Sequence, residues 1–362
     1  MLIVIPTYKR NHSLNWVLQS LVQCRTESID EPIRVLIVNN YPPAKDEIKT
    51  IVGEFTHHKQ FEWDALCREK TLPPVENWYS AILQKALPDE VVLLHGDDDI
   101  LCPWGIEERY HAITCSDVDI LLTRSRGCIV FLADPLFAVV KGKLPHKEMG
   151  SNKTAISLGE INTWGPAFIG NHCYRNTKRW REALCASFNW CHQQDWLDWN
   201  TRTLMLPFYL PFAAKLVGCN IVGLNQACVI RGISLEENTQ SPYGSPTWNS
   251  GILAVCAYGV LSEKPLGELS ELEPARIELK NMALQWLVTL WFDPRIPASI
   301  RRKTLRRIRL PLSMGAVFQV SKGLRLLIGE ILGLRGWRLK LYSKKNAKPV
   351  PEILKSLANN PQ

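Results

Sequence analysis

The sequence predicts an α/β protein built on a doubly wound, mostly parallel sheet, and three observations carry that. Leu2-Ile3-Val4-Ile5, Arg34-Val35-Leu36-Ile37-Val38 and Val91-Val92-Leu93-Leu94 are short, bounded apolar runs, the pattern of strands buried on both faces. Between the first two, Leu14, Val17, Leu18 and Leu21 fall on one helical face, and strand, helix, strand at this spacing makes a parallel pair. The third run passes directly into His95-Gly96-Asp97-Asp98-Asp99, at the end of the strand where open α/β sheets place their ligands.

Taken in order, the first strand gives way to the loop Pro6-Thr7-Tyr8-Lys9-Arg10, and Asn11 or Ser13 is expected to cap a helix running to about Cys24. The second strand ends in Asn39-Asn40-Tyr41-Pro42-Pro43; residues 45–55 read as helix and Phe61-Glu62-Trp63 as a short strand. Pro73-Pro74 precede a helix from Val75 to about Ala86, and Pro103-Trp104-Gly105 open another after the acidic turn. Asp119–Leu122 and Gly127–Leu132 read as two further strands, and residues 141–160, with Gly142, Pro145 and Gly150, as a mobile loop. Residues 204–230 are apolar enough to complete the core, 235–251 resemble a lid or acceptor loop, and 252–262 and 274–293 are helical.

Composition narrows the class. With 362 residues, 46% of them hydrophobic and 22% charged, the chain can bury a sizeable core. No apolar run approaches the ~18 residues of a membrane span, and Pro6 interrupts the first apolar run, so no secretory signal is expected. Eleven cysteines without a CxxC pair point to reduced thiols and a cytosolic protein. Charge is uneven: residues 1–294 carry 27 Lys+Arg against 33 Asp+Glu, a net −6, and residues 295–362 carry 16 against 2, a net +14. A basic tail on an acidic body points to an anionic surface or polymer.

Three adjacent carboxylates repel one another unless a cation or hydrogen bonds neutralise them. Oxygen-only ligands suit Mg²⁺ or Mn²⁺, so Asp97 and Asp99 are the expected metal ligands, Asp99 the direct one and Asp97 reaching a ribose or a metal-bound water. The alternative is a solvated acidic turn that caps the next helix.

The ordered set of an apolar strand with Pro-Thr-Tyr, a strand ending in an Asx pair, a helix carrying Asn77 and a strand ending in Gly-Asp-Asp-Asp resembles family 2 glycosyltransferases of the GT-A fold, over roughly residues 1–235. The resemblance implies a nucleotide-diphospho-sugar donor, touched by Pro6, Thr7, Tyr8, Arg10, Asn77, Asp97 and Asp98, with a divalent ion on the acidic motif. Asn39 falls where the family usually has an Asp that grips the base, a departure that leaves the base open. Trp164 falls at the start of the acceptor half and is the candidate to stack on a sugar; the alternative is a Trp closing the core. Gln194-Asp195 falls on the family's acidic pair, which makes Asp195 the expected general base, with Asp198 on the same helix face. Arg231 is the candidate for bidentate contact with the diphosphate.

These readings give a catalytic domain over 1–235 (nucleotide-sugar half 1–100, acceptor half 101–235), acceptor loop and helices over 236–294, and a basic tail over 295–362. The expected activity is inverting sugar transfer to a hydroxyl of a glycan or lipid-linked glycan in surface polysaccharide synthesis, with no nucleic-acid partner. A sugar-1-phosphate nucleotidyltransferase and a non-catalytic scaffold are the competing classes; the loop after the first strand has no Gly of the kind the former needs. In the tail, Val317, Val320, Leu324, Leu327, Ile328, Ile331 and Leu334 make one apolar helical stripe beside Lys322, Arg325, Arg335 and Arg338. That predicts an amphipathic anchor lying in the interface of an anionic membrane, on its cytoplasmic face.

Overall fold

The computed structural model describes residues 1–115, 117–131, 137–148, 152–164, 169–193, 205–234, 257–262, 264–292, 302, 320–321, 324–325 and 346–359. The chain divides into two compact units, one of residues 1–191, 206–237 and 346–362, the other of 192–205 and 238–345. The last residues, 346–362, group with the first unit.

The first unit is organised by one mixed sheet. β1 (Leu2–Thr7), β2 (Ile33–Asn39), β3 (Phe61–Cys67) and β4 (Val91–Leu94) lie in the order β3-β2-β1-β4, all parallel. β9 (His172–Arg175) joins β4 antiparallel and carries the sheet on to β6 (Ile120–Phe131), β7 (Phe137–Lys141) and β11 (Ala347–Pro349). β10 (Ile221–Ser234) runs parallel to β6 and antiparallel to β5 (Ile100–Leu101) and β8 (Lys153–Ala155).

Alternation along the central strands explains why the apolar runs are unbroken. Ile3, Ile5, Val35, Ile37, Val91 and Leu93 belong to one buried cluster with α1 (Asn11–Val22), α2 (Lys45–Phe55) and α4 (Gly105–Thr114). Leu2, Val4, Leu36, Val92 and Leu94 point the other way and are equally buried. On that second face Tyr79 of α3 (Pro74–Lys85) meets Tyr174 of β9, which packs on Trp180 of α5 (Lys178–Gln193). A strand covered on both faces has no polar side to show.

Several local readings are corrected. Neither Asn11 nor Ser13 caps α1: Arg10 holds the cap position without a side-chain cap bond, and the Ser13 hydroxyl donates to the Arg10 carbonyl. The two strands read around residues 119–132 are one, β6, with Gly127 at φ +75° between its halves. Within 141–160 the chain forms β8 and the start of a 3₁₀ segment, Leu158–Trp164. At the far end, β11 pairs with β7, and α8 (Val350–Ala358) buries Val350, Ile353, Leu354 and Leu357 in the same cluster as α1. In the second unit α7 (Glu273–Phe292) is tied down by Arg276, which donates to the carbonyls of Leu261, Leu266 and Leu269. Among the described residues no helix is long and apolar enough to cross a membrane. Of the apolar stripe expected of the tail, Val320 and Leu324 are described and the other five residues lie outside the described residues.

Candidate functional site

The site forms where the parallel strands end. Thr7, Asn39 and Cys67 are in register across β1, β2 and β3, so the loops that follow emerge at one edge. The chain after β4 turns there as well, and the acidic residues are drawn onto the β1 loop. Arg10 Nη1 donates to Asp97 Oδ1 at 3.1 Å and to Asp98 Oδ2 at 2.8 Å, and the Tyr8 backbone N–H donates to Asp97 Oδ2 at 3.3 Å. The chain reaches Arg10 through Lys9, whose φ of +57° makes the sharp turn.

β10 closes the turn from the other side. The Gly232 N–H donates to Asp99 Oδ1 at 2.9 Å, and a Cβ at Gly232 would lie 1.4 Å from the Asp98 carbonyl oxygen. Only Gly permits that approach. A Cβ at Gly96 would press on the Asp99 carboxylate, 2.6 Å from Oδ2. Arg231, next to Gly232, is exposed, and its charge reaches both Asp98 and Asp99. Beneath the turn, His95 is fully buried, with Nε2 at 2.9 Å from the Asp99 carbonyl oxygen.

Burial sets the electrostatics. It pushes the Asp98 carboxyl up to about 6; Arg10 opposes the rise and Asp97 adds to it. Burial and then the Asp98 charge hold Asp99 well above the usual carboxylate range. Burial, helped by the Arg109 charge, pushes His95 down to about 3, so the imidazole is neutral. Three crowded carboxyls against two arginines are thus short of positive charge, and the folded chain resists ionising all three. Among the described residues, no three ligating side chains gather into a closed metal cage. A Mg²⁺ or Mn²⁺ that keeps waters and shares substrate phosphates needs only one or two carboxylates. The crowded, charge-deficient acids fit such an ion.

The aromatic rim was not foreseen as a unit. Tyr8 and Tyr41 meet edge to face at 5.6 Å, and Lys9 Nζ sits 4.7 Å from the Tyr41 ring centre. Pro6 is buried in β1, and the buried Thr7 Oγ1 and Asn77 Nδ2 have no hydrogen-bond partner among the described residues. Asn77 Oδ1 accepts from Arg68 Nε at 2.8 Å, and Arg68 also donates to Ser80 Oγ. Asn39 is turned inward: its Nδ2 donates to the Tyr41 carbonyl and its Oδ1 accepts the Tyr41 N–H, an Asx turn that shapes the loop. Asn40 pairs both ways with the Leu72 backbone.

Trp164 takes the core role. It is only 9% exposed, the Arg124 guanidinium lies 3.9 Å over its ring, and a Cβ at Gly223 would fall 2.3 Å from it. A ring so enclosed has the surroundings of the core alternative given for it above. Asp195 and Asp198 lie outside the described residues. Sequence reasoning missed His95, Arg68 and Gly232. His95 stands inside the acidic stretch, but nothing local says what its ring touches, and Gly232 acquires its role only through β10.

No family model matches the chain, and no curated protein matches it. Among solved structures, S. aureus TarS 1–349 is 14% identical with a TM-score of 0.48, over 92% of this chain and 91% of that one. The same protein in complex with UDP-GlcNAc gives 15% and 0.45, over 91% and 80%. The mannosyltransferase PcManGT from Pyrobaculum calidifontis, in complex with GDP-Man and Mn2+, gives 11% and 0.45, over 94% and 84%. Likenesses of this strength carry no argument about ligand or activity.

Proposed function

We propose that the chain is a glycosyltransferase that moves a sugar from a nucleotide-diphospho-sugar to a hydroxyl of a glycan or lipid-linked glycan. The observation that carries this reading is the junction of Asp97 and Asp98 with Arg10 and the Tyr8 N–H, at the edge where four parallel strands end. It joins the Pro-Thr-Tyr loop to the acidic motif, two of the four pieces on which the sequence resemblance rests.

In this reading the nucleoside lies along Thr7, Tyr8 and Tyr41, with Asn77 below. Asn39 shapes the loop rather than reading the base, because both ends of its amide hold Tyr41. Asp97, whose two oxygens take Arg10 and Tyr8, anchors the β1 loop and faces the ribose. From sequence, Asp97 and Asp99 are the expected metal ligands; since both Asp97 oxygens are engaged, Mn²⁺ or Mg²⁺ would fall instead to Asp98, the more exposed acid, together with Asp99. When bound, that ion neutralises charge on the departing nucleoside diphosphate. Arg231 adds a fork for the diphosphate, and its place beside Gly232 supports that role. Asp195 removes the acceptor's proton as the hydroxyl attacks the anomeric carbon, contributing about 10²–10⁴ in rate. A single displacement inverts the anomeric configuration.

A panel of nucleotide-sugars with Mn²⁺ and candidate acceptors tests the class. Release of nucleoside diphosphate supports it. Inorganic pyrophosphate formed from sugar phosphate and nucleoside triphosphate would instead mean a nucleotidyltransferase, and silence on every donor a scaffold.

The membrane reading contracts. Residues 346–359 are folded into the first unit, so contact with an anionic, cytoplasmic leaflet falls to 295–345. Replacing Arg301, Arg302, Lys303, Arg306 and Arg307 by Gln leaves β11 and α8 in place. The variant should float less with anionic liposomes at low salt, since each basic residue contributes about 1 kcal/mol there. Equal flotation of variant and wild type sinks the anchor.

A further inference from the structure

The acidic turn is braced from inside as well as from its rim. The His95 ring nitrogen Nε2 lies 2.9 Å from the Asp99 carbonyl oxygen, which can only accept, so Nε2 carries the proton. That bond fixes the peptide from which the Asp99 side chain springs, while Gly232 fixes one of its carboxylate oxygens. Behind His95 stands Arg109 of α4, fully buried, with Nη2 donating to the Gly170 carbonyl at 2.8 Å. Its charge also bears on the buried Cys228 thiol.

A buried guanidinium is costly without a carboxylate, and among the described residues none pairs with it. An apolar side chain of like volume would fill the space at less cost. The polar atoms left over explain the charge. Arg109 Nε and Nη1 are buried donors without a partner among the described residues, and His95 Nδ1 and Asn171 Oδ1 are buried acceptors in the same condition. Asn171 adjoins the Gly170 carbonyl that Arg109 already holds, and His95 is near enough to feel the Arg109 charge. Buried polar atoms of opposite kind that do not meet directly are bridged by water, and one water takes two to four such partners.

We propose that His95 and Arg109 are positioning residues of the donor site: Arg109 sets the imidazole, and the imidazole sets the Asp99 peptide and the aim of the three carboxylates. The proposal rests on the reading of this turn as the donor site.

The test uses the full chain. His95→Gln keeps an N–H near the Nε2 position, and His95→Leu removes it; Arg109→Met keeps the length of Arg109 and removes its donors. His95→Leu should lower kcat for nucleoside diphosphate release by about 10²-fold, the scale of a small misplacement of reacting groups, with KM for the donor little changed. His95→Gln should restore most of that, and Arg109→Met should shift kcat the same way by less. Wild-type kcat in His95→Leu, or a His95→Gln as impaired as His95→Leu, overturns the proposal. If His95→Leu does not fold, the other two variants and the ¹⁵N-histidine spectrum of the wild type decide. The spectrum should show a His95 ring protonated at Nε2 with a slowly exchanging proton; a proton on Nδ1 overturns the brace. Should the wild type act on no nucleotide-sugar, the donor-site reading has failed, while the spectrum still judges the brace.

Discussion

One side of the sheet is assembled from neighbouring segments and the other from distant ones. β1 to β4 follow one another within the first hundred residues: β1–β2 and β2–β3 are each joined across one α-helix, and β4 returns to the free side of β1. On the other side β6 pairs over most of its length with β10, through a register that shifts three times, and β7 takes its outer partner from the end of the chain. The local side presents loops and acids, and the distant side supplies the glycine that lets β10 touch them. A site at a strand edge therefore depends on residues that no local pattern marks.

Removing residues 346–362 is the harshest way to break the distant side. It uncovers the face against which Val350, Ile353, Leu354 and Leu357 pack and leaves β7 an open edge. Four buried apolar side chains at about 1.5–3 kcal/mol each rival a domain's whole stability of about 5–15 kcal/mol. The truncated chain should be insoluble or melt far below the wild type by scanning calorimetry.

Two glycines on β10 sharpen the comparison. Gly232→Ala drives a methyl into the Asp98 carbonyl and Gly223→Ala drives one into the Trp164 ring. Each should cost about 1–3 kcal/mol or more from overpacking in chemical denaturation. Only Gly232→Ala should also lower kcat, by about 10²-fold, because it moves the acidic turn. If Gly223→Ala lowers kcat as far at equal stability, Trp164 is nearer the chemistry than its burial indicates.

On the local side, Arg10→Met leaves Asp97 and Asp98 without their shared cation. Stability should fall by about 1–3 kcal/mol, the cost of a buried polar group left unsatisfied, and donor KM should rise. Donor kinetics identical to the wild type would place Arg10 outside the site.

The smallest effect is in pH. His95, held at about 3 in the folded chain against 6.5 unfolded, takes its proton first in the unfolded state. Its contribution is full above about 6.5 and is lost as pH falls towards 3, by up to about 1.4 kcal/mol per pH unit. Asp98, raised from 3.8 to about 6, acts oppositely: the folded state takes the proton first, and stability rises as pH falls through that window. Denaturation at pH 7 and pH 5 should therefore show His95→Gln losing less stability than the wild type on acidification. Asp98→Asn should lose more. Parallel curves for all three would mean that neither group is perturbed as described.

The local side was legible because strand length, helical spacing and the Asp triplet are all written within short windows: α2 spans residues 45–55 as read, and Asp97–Asp99 follow β4. The distant side was not. Gly127 looked like a strand boundary because nothing nearby reveals that β10 runs alongside both halves of β6. Trp164 read equally well as sugar platform or core, and the residue that packs against its ring, Gly223, lies far along the chain. The tail read as one basic segment because its charge masks the apolar face of α8.

The most direct measurement is calorimetric binding of UDP and of GDP, with and without Mn²⁺, to the wild type and to Asp99→Asn. The wild type should bind at least one nucleotide, more tightly with Mn²⁺, and Asp99→Asn should keep weak binding that Mn²⁺ no longer strengthens. Binding of neither nucleotide, or an equal Mn²⁺ effect in both proteins, would contradict the assignment of the acidic turn as the donor site.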